Sequence, residues 1–256
     1  MADFLLKKWY LDIADDKGNV YIGYRASLKW GKFEINGFQH LRRTSAKGVV
    51  TQVGFTKDPA PKLENPGRII WQSGKVNASW DSRSEPINET LIDAGNGKIT
   101  WQCFQPKALA SIVSPDLSFH GLGYVECIDI TIPVWELPFK TLYWGRCHTA
   151  RHYLVWIRWD GKTKQSLVWF DGKRSEDLVI NDGIISGNDF KLKLGENITL
   201  RQGVIASTIF KAFSDIFKFL PKPALSANEH KWYNNGILET GSESEPAVTI
   251  YEKVIW

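Results

Sequence analysis

The residues best suited to catalysis lie close together near the middle of the chain, between Gly121 and Arg146. This segment begins Gly-Leu-Gly-Tyr-Val-Glu and ends Leu-Tyr-Trp-Gly-Arg, so it mixes glycine, aromatic, carboxylate and guanidinium groups. If residues 123–130 form a strand, Tyr124 and Glu126 lie on the same face, because side chains alternate along a strand. A carboxyl group buried beside aromatic rings favours its neutral form and can donate a proton.

Protonation of a carbon–carbon double bond is a reaction that such an acid could serve. Because an alkene is a weak base, its hydration, isomerisation or cyclisation requires a proton donor in a dry setting. Aromatic faces also stabilise the carbocation that forms. We therefore predict that Glu126 is the acid of an active site. The predicted ligand-binding residues are Tyr124, Trp135, Trp144, His148 and Trp156.

Arg146 is the second predicted catalytic residue, and the sequence leaves two roles open for it. Trp144, Arg146 and His148 share one face if their segment is also a strand. Arg146 could hold a ligand oxyanion. It could instead form a salt bridge with Glu126 that fixes the two halves of the chain, because buried charges are normally paired. The second role opposes the acid hypothesis, since a neighbouring guanidinium stabilises the carboxylate.

The remaining reactive residues indicate neither a metal nor a cofactor. His148 and His152 have the spacing H-x-x-x-H, but no helical pattern or third acidic ligand accompanies them. Cys147 would face away from His148 on a strand, so the two do not form a nucleophile–base pair. P-loop, dinucleotide-binding and G-x-S-x-G motifs do not occur. The few cysteines, Cys103, Cys127 and Cys147, favour a reducing compartment over a disulfide framework.

The composition of the 256 residues is that of an ordinary globular protein with an excess of aromatic side chains. The net charge of +4 comes without a basic tract, which argues against nucleic-acid binding. Apolar runs are too short to span a membrane, and the first residues lack a signal-peptide pattern, so we expect a cytoplasmic protein. Of the 12 Trp, 13 Phe and 8 Tyr, strand packing accounts for most, and some are expected to line a cavity for an apolar ligand. The sequence leaves the oligomeric state open.

Short β-rich segments separated by turn residues predict an all-β fold. Asp160–Gly161, Asp171–Gly172 and Asp182–Gly183 recur every eleven residues, and such Asp-Gly turns between short strands are typical of an antiparallel meander. Each half has about eight strand segments, enough to close a barrel that holds one small ligand. We predict two tandem antiparallel β-barrels, over residues 1–125 and 126–256, without a residue-level repeat between them.

One amphipathic helix is predicted within the second barrel, over residues 205–220. Its apolar residues recur at steps of three and four, and Pro221 and Pro223 end the pattern. We expect this helix to pack against the outside or mouth of a barrel, with a lid as the alternative.

The central motif also resembles a known family. Gly121, Gly123, Tyr124 and Glu126 match the G-x-G-Y-x-[DE] signature of the lipocalin-like family that contains AttH-type proteins and bacterial carotenoid 1,2-hydratases. More distant members are tocopherol cyclases and fungal or bacterial pericyclases. Weaker matches are Trp144-Gly145-Arg146, Lys231-Trp232 and Tyr251-Glu252-Lys253-Val254.

This resemblance implies two calycin-like, or lipocalin-like, barrels in tandem, with an apolar ligand held in one barrel or between them. It also implies that the acidic residue of the signature, here Glu126, protonates an alkene. Hydratases usually have Asp at this position and a longer chain, which argues against a substrate as long as a carotenoid. Fold alone does not choose among hydration, cyclisation and cycloaddition.

These observations favour a cofactor-independent enzyme that acts on an apolar, terpenoid-like or polyene-like small molecule. A pericyclase that only holds a polyene in a folded conformation would need no acid. A non-catalytic carrier or sensor of a hydrophobic ligand fits the aromatic residues equally well. A third alternative is an interaction protein whose barrels are filled by their own side chains.

Overall fold

The structure, a computed structural model, describes residues 4–181, 183–204 and 227–256. These residues form twenty β-strands and a short 3-10 turn at Val134–Glu136. The chain divides into two compact units, Met1–Leu137 and Pro138–Trp256, which we call the N-terminal and C-terminal units. Among the described residues, no helix has the length and apolar character needed to cross a membrane.

The described part of the N-terminal unit forms one ten-stranded antiparallel sheet. Its strands are Phe4–Ala14 (β1), Val20–Trp30 (β2), Phe33–Thr44 (β3), Gly48–Phe55 (β4), Lys62–Asn65 (β5), Arg68–Ser73 (β6), Val76–Ser82 (β7), Ile87–Ala94 (β8), Gly97–Ser114 (β9) and Leu117–Ile130 (β10). They are ordered β4-β3-β2-β1-β10-β9-β7-β6-β5, and β8 pairs with β9. The first and last strands of the unit are therefore neighbours at its centre.

The described part of the C-terminal unit forms a second ten-stranded sheet. Its strands are Phe139–His148 (β11), Tyr153–Gly161 (β12), Gln165–Phe170 (β13), Lys173–Ser175 (β14), Val179–Asn181 (β15), Ile184–Ser186 (β16), Lys191–Lys193 (β17), Asn197–Val204 (β18), Asn228–Thr240 (β19) and Glu243–Ile255 (β20). Their order is β14-β13-β12-β11-β20-β19-β17-β16-β15, with β18 paired to β19. Both units thus have the same strand order, a structural repeat that residue identities do not reveal.

The hydrophobic core of the N-terminal unit lies on one face of its central strands. Leu11 on β1, Tyr21 on β2 and Val125 on β10 are fully buried there, and Trp71 and Trp80 from β6 and β7 cover them. The C-terminal unit has an equivalent core that includes Cys147 and Trp156. The neighbouring residues along the central strands, which lie on the opposite face, are buried as well, as in Tyr10–Ala14 and Gly123–Cys127.

The predicted fold class, all-β with two tandem antiparallel barrels, is confirmed. The predicted helix at 205–220 lies outside the described residues. The predicted division of the chain lies between residues 125 and 126, whereas strand β10 runs through both of these residues and the compact units meet after Leu137.

One of the predicted Asp-Gly turns is wrong. Asp171 and Gly172 do form the tight turn between β13 and β14, with φ of 47° and 83°. Asp160 and Gly161 instead end strand β12. A Cβ on Gly161 would lie 2.0 Å from the carbonyl oxygen of Pro138, so this glycine is required by a close backbone approach and not by a turn.

Gly23 on β2 gives a test of this core packing. A Cβ at Gly23 would lie 2.2 Å from the ring of Trp71, while at Gly95, in the turn after β8, it would meet nothing within 4 Å. We expect Gly23→Ala to lower the free energy of unfolding by about 1–3 kcal/mol, because Trp71 must move. Gly95→Ala is the control, with a change within about 0.5 kcal/mol. Urea denaturation measures both, and equal stabilities would contradict the packing described.

Candidate functional site

Strand β10 places Glu126 at the centre of the N-terminal sheet. It lies opposite Tyr10 of β1 on one side and opposite Cys103 of β9 on the other. The β9–β10 register shifts on both sides of Val125, and such irregularities re-aim side chains near functional sites. Glu126 itself is buried, with 7% of its surface exposed.

The two glycines of the signature allow close packing around this strand. A Cβ on Gly121 would lie 2.3 Å from the carbonyl oxygen of Ala14 on β1. A Cβ on Gly123 would lie 2.6 Å from the ring of Trp80 and 2.8 Å from the carbonyl oxygen of Asp12. The glycines are therefore explained by the approach of β1 and of a core ring, and they do not themselves indicate a ligand.

Two neutral donors converge on one oxygen of Glu126. The Tyr124 hydroxyl donates to Oε2 at 2.6 Å, and the indole Nε1 of Trp101 donates to the same atom at 2.5 Å. Burial raises the pKa of Tyr124 well above its usual value. Tyr124 therefore keeps its proton and remains a donor, so the sequence-predicted pair of Tyr124 and Glu126 is in direct contact.

A second buried carboxyl group shares this face, and the sequence analysis missed it. Asp12 is fully buried, lies opposite Tyr124, and accepts a hydrogen bond from the Tyr10 hydroxyl at 2.9 Å. The rings of Tyr10 and Tyr124 meet edge to face, with centroids 6.0 Å apart. The missed signal is a repeated pattern: Tyr10-Leu11-Asp12 mirrors Tyr124-Val125-Glu126, and antiparallel pairing sets each tyrosine opposite the other segment's acid.

Cys103 completes this cluster as an unreactive thiol. Burial raises its pKa well above the usual value. The thiol therefore stays protonated and is not a nucleophile. Cys103 lies opposite Glu126, and Asp12 lies opposite Tyr124, so the thiol and the two carboxyl groups lie on one buried face of the sheet.

Trp135, a predicted ligand-binding residue, lies elsewhere in the N-terminal unit. Its ring packs against Phe4, at a centroid distance of 5.8 Å, and against Trp30 at 5.3 Å. Phe4 begins strand β1, six residues before Tyr10, and this spacing corresponds to about 20 Å along a strand. The structure therefore does not bring Trp135 next to Glu126.

Strand β11 of the C-terminal unit carries three of the other predicted residues on one buried face. Trp144, Arg146 and His148 are all nearly or fully buried, and Arg146 donates to the carbonyl oxygen of Val248 at 3.2 Å. Trp156 is on the opposite face, where its ring would lie 2.1 Å from a Cβ on the intervening Gly145. Trp156 is thus a core residue of this unit and is separated from Arg146 by the sheet.

A buried ionic cluster accompanies these residues, and the sequence analysis did not predict it. Arg201 pairs with Glu229 at 2.8 Å, while Lys231 lies 3.7 Å from Glu229 and forms a second ion pair with Glu252. The Lys231 ammonium also lies 5.4 Å from the ring centroid of Trp144. Glu126 belongs to the N-terminal unit and Arg146 to the C-terminal unit, and each unit is described by itself. The salt bridge predicted between these two residues therefore stays a prediction.

His152 lies near acidic residues, but this arrangement does not favour a cation. His152, Glu243 and Glu245 have potential ligand atoms within 4.8 Å of one another. The guanidinium of Arg151 already pairs with Glu243, at 2.6 Å, and with Glu245. His152 in turn contacts Asp171 at 2.6 Å. The positive charge of Arg151 neutralises the acids that a metal ion would need.

The comparisons with known proteins identify the fold. No protein-family model and no curated protein matches the chain in sequence. Among solved structures, it is similar to a protein of Nitrosomonas europaea described as an AttH protein, with a TM-score of 0.61 and 7% identity over 98% of this chain and 92% of that one. It is similar to CghA with Sch210972, with a TM-score of 0.55 and 11% identity over 98% of this chain and 88% of that one. It is also similar to kievitone hydratase from Nectria haematococca, with a TM-score of 0.54 and 8% identity over 98% of this chain and 88% of that one.

The chain therefore has the lipocalin-like fold of AttH-type proteins, which confirms the fold implied by its central motif. The same fold is that of an enzyme named a hydratase. At identities this low the likeness concerns the fold, and function has to be argued from the site.

A second missed group lies on the core face of the same sheet. His40 on β3 is buried, its Nδ1 lies 2.9 Å from the Tyr21 hydroxyl, and its Nε2 lies 3.2 Å from the Ser73 hydroxyl. Burial, aided by the charge of Arg42, lowers the pKa of His40 to about 4. The histidine is therefore neutral near pH 7. No sequence motif joins these residues, which come from three different strands.

The acceptor role of Glu126 predicts how its variants unfold. Glu126→Ala leaves two buried donors without their acceptor and should lower the free energy of unfolding by about 2–4 kcal/mol. Glu126→Gln keeps an amide oxygen that can accept both, so we expect a loss below about 1.5 kcal/mol. Urea denaturation compares the two, and equal losses would show that the contacts with Tyr124 and Trp101 contribute little.

The lowered pKa of buried His40 predicts that the protein loses stability in mild acid. With a folded-state pKa of about 4 and an ordinary unfolded value of 6.5, only the unfolded chain takes up the proton as pH falls from 6.5 to 4. The free energy of unfolding should therefore decrease as pH falls through this window, and His40 alone should account for on the order of 3 kcal/mol of the decrease. Urea denaturation between pH 4 and 7.5 should show a shallower pH dependence for His40→Gln. The exposed His120→Gln serves as control, and an unchanged slope in His40→Gln would refute the assignment.

Proposed function

We propose that this chain is a cofactor-independent enzyme that acts on an apolar, terpenoid-like or polyene-like small molecule by protonating an alkene with Glu126. The observation that carries the proposal is the convergence of the Tyr124 hydroxyl and the Trp101 indole on Oε2 of the buried carboxyl group. Burial favours the neutral carboxyl group over the anion, while the two donors stabilise the anion that remains after the proton has been transferred.

The two donors also define how the proton would be delivered. Since Oε2 accepts both hydrogen bonds, the acidic proton of Glu126 is carried by Oε1. Transfer of this proton to an alkene carbon leaves a carboxylate on Glu126 and a carbocation on the substrate. Hydrogen bonds from Tyr124 and Trp101 strengthen as the negative charge develops, because bonds to an ionised acceptor are stronger than bonds to a neutral one.

The carbocation then has two outcomes, and each returns the acid to its starting state. In cyclisation or isomerisation it loses a proton from a neighbouring carbon to the Glu126 carboxylate. In hydration, water adds to the cation and the same carboxylate takes the proton that the water releases. The rings of Tyr10 and Tyr124 and the carboxyl group of Asp12, all on this face, favour a nearby positive charge. The hydratase among the structures with this fold supports an addition reaction of this class.

Isotope incorporation tests the proposal. The protein is incubated in buffered D₂O with an apolar extract of its source organism, and the products are analysed by mass spectrometry. We expect a product with one carbon-bound deuterium, because the proton comes from a carboxyl group that exchanges with solvent. Glu126→Gln should lower its formation by about 100-fold or more. The control, Glu34→Gln, makes the same change on an exposed position of β3 and should retain activity.

Other results would replace this mechanism with one of the alternatives. A product without deuterium that Glu126→Gln also forms would indicate a pericyclic reaction guided only by shape. A compound that native mass spectrometry finds bound, and that is recovered unchanged, would indicate a carrier or sensor.

A further inference from the structure

The N-terminal unit contains a cavity of about 500 Å³ on the sheet face opposite Glu126. Leu11, Gly23 and His40 lie directly across from one another on β1, β2 and β3, and His40 lines the cavity. Tyr10, which lies opposite Glu126, is next to Leu11 and therefore on the other face. A volume of this order suits a small organic ligand.

One wall of the cavity is apolar. Phe38 and Phe55 line it from β3 and β4, with Val76 and Pro115 nearby. Phe55 is 54% exposed, so part of its ring is open to a ligand. This wall could therefore bury the apolar body of a ligand and gain free energy by doing so.

Arg42 gives the cavity a cation with an unsatisfied donor. Its two terminal nitrogens donate to Asp116, at 3.3 Å, and to Gln52, at 3.1 Å. Its Nε is buried and has no hydrogen-bond partner among the residues that the structure describes. Each terminal nitrogen has only one acceptor among the described residues, so the guanidinium can donate further hydrogen bonds. A guanidinium is also well matched in shape to a carboxylate.

The hydrogen-bonded row of Tyr21, His40 and Ser73 adds a second donor. Since His40 is neutral, it can accept at Nδ1 from the Tyr21 hydroxyl and donate from Nε2 to Ser73. In this tautomer the Ser73 O–H is directed to a further acceptor, and Ser73 lines the cavity. In this tautomer, Ser73 presents a hydrogen-bond donor to the cavity and no charge is buried.

The charged residues around the cavity also favour an anion. Arg42, Lys57 and Lys75 contribute three positive charges, against two carboxylates from Asp58 and Asp116. Asp58 is occupied in part by the backbone N–H of Gly74, which donates to it at 2.9 Å.

We propose that this cavity is a second ligand site, distinct from Glu126, that binds a small amphipathic carboxylate. The carboxylate accepts hydrogen bonds from the terminal nitrogens of Arg42 and from the hydroxyl of Ser73. The apolar body lies against Phe38 and Phe55. Asp116, the present partner of Arg42, opposes such a ligand by its charge.

Fluorescence titration with 11-(dansylamino)undecanoic acid tests this site in the full chain. We expect saturable binding that dodecanoate displaces and dodecylamine does not. Arg42→Gln should weaken binding by about 10-fold or more, because a charge-assisted hydrogen bond is lost. Arg68→Gln is the matched control: this arginine of β6 pairs with Glu64 and Asp81 and should leave affinity unchanged.

Two further variants keep the test decisive if Arg42→Gln folds poorly. Asp116→Asn removes a competing negative charge and should raise the affinity for the dansyl acid several-fold, a gain that a damaged fold would not produce. Ser73→Ala should lower it, by about 3- to 10-fold. Absence of saturable binding, equal displacement by dodecylamine, or unchanged affinity in both Arg42→Gln and Asp116→Asn would overturn the proposal. Glu126→Gln should bind the probe normally, so failure at one site is distinguishable from failure at the other.

Discussion

The constraint on which the rest of this structure depends is that the central strands of each unit are buried on both faces. One face of β1 and β10 packs on an apolar core, and the other is buried too, as the uninterrupted burial of Gly123–Cys127 shows. A polar side chain on the second face must then find a partner inside the protein, since an unpaired buried polar group is costly. Tyr10 with Asp12, and Tyr124 with Glu126, are the result of this constraint.

The two units meet the same constraint with different chemistry. In the N-terminal unit, Glu126 on the last strand, β10, lies opposite Tyr10 on β1. In the C-terminal unit, Glu252 on the last strand, β20, lies opposite Trp144 on β11. Glu252 is paired with the ammonium of Lys231. Glu126 is contacted by the neutral donors Tyr124 and Trp101, which are compatible with a carboxyl group that carries a proton. This difference supports the assignment of acid chemistry to the N-terminal unit.

Side-chain alternation also separates the two candidate sites of that unit. The acid cluster lies on β1, β9 and β10, whereas the cavity with His40 is lined mainly from β3, β4 and β6 on the opposite face of the same sheet. A shift of one residue in register would exchange the two faces and bury the wrong groups on each. The core tryptophans Trp71 and Trp80, which fit against Gly23 on β2 and Gly123 on β10, help to fix the register.

The sequence by itself determined the all-β class, the turn at Asp171–Gly172 and the shared face of Tyr124 and Glu126, because alternation and turn conformation are local properties of the chain. It did not determine that Tyr10 and Asp12 join Glu126, or that Trp101 donates to it. These contacts depend on which distant strands pair and in which register, and that choice is made by burying both sheet faces at once. The same reason explains why Trp156 lies in the core and why His40 meets Ser73. Which side chains share a face of one strand can be read from a sequence, whereas the register between strands exists only in the folded protein.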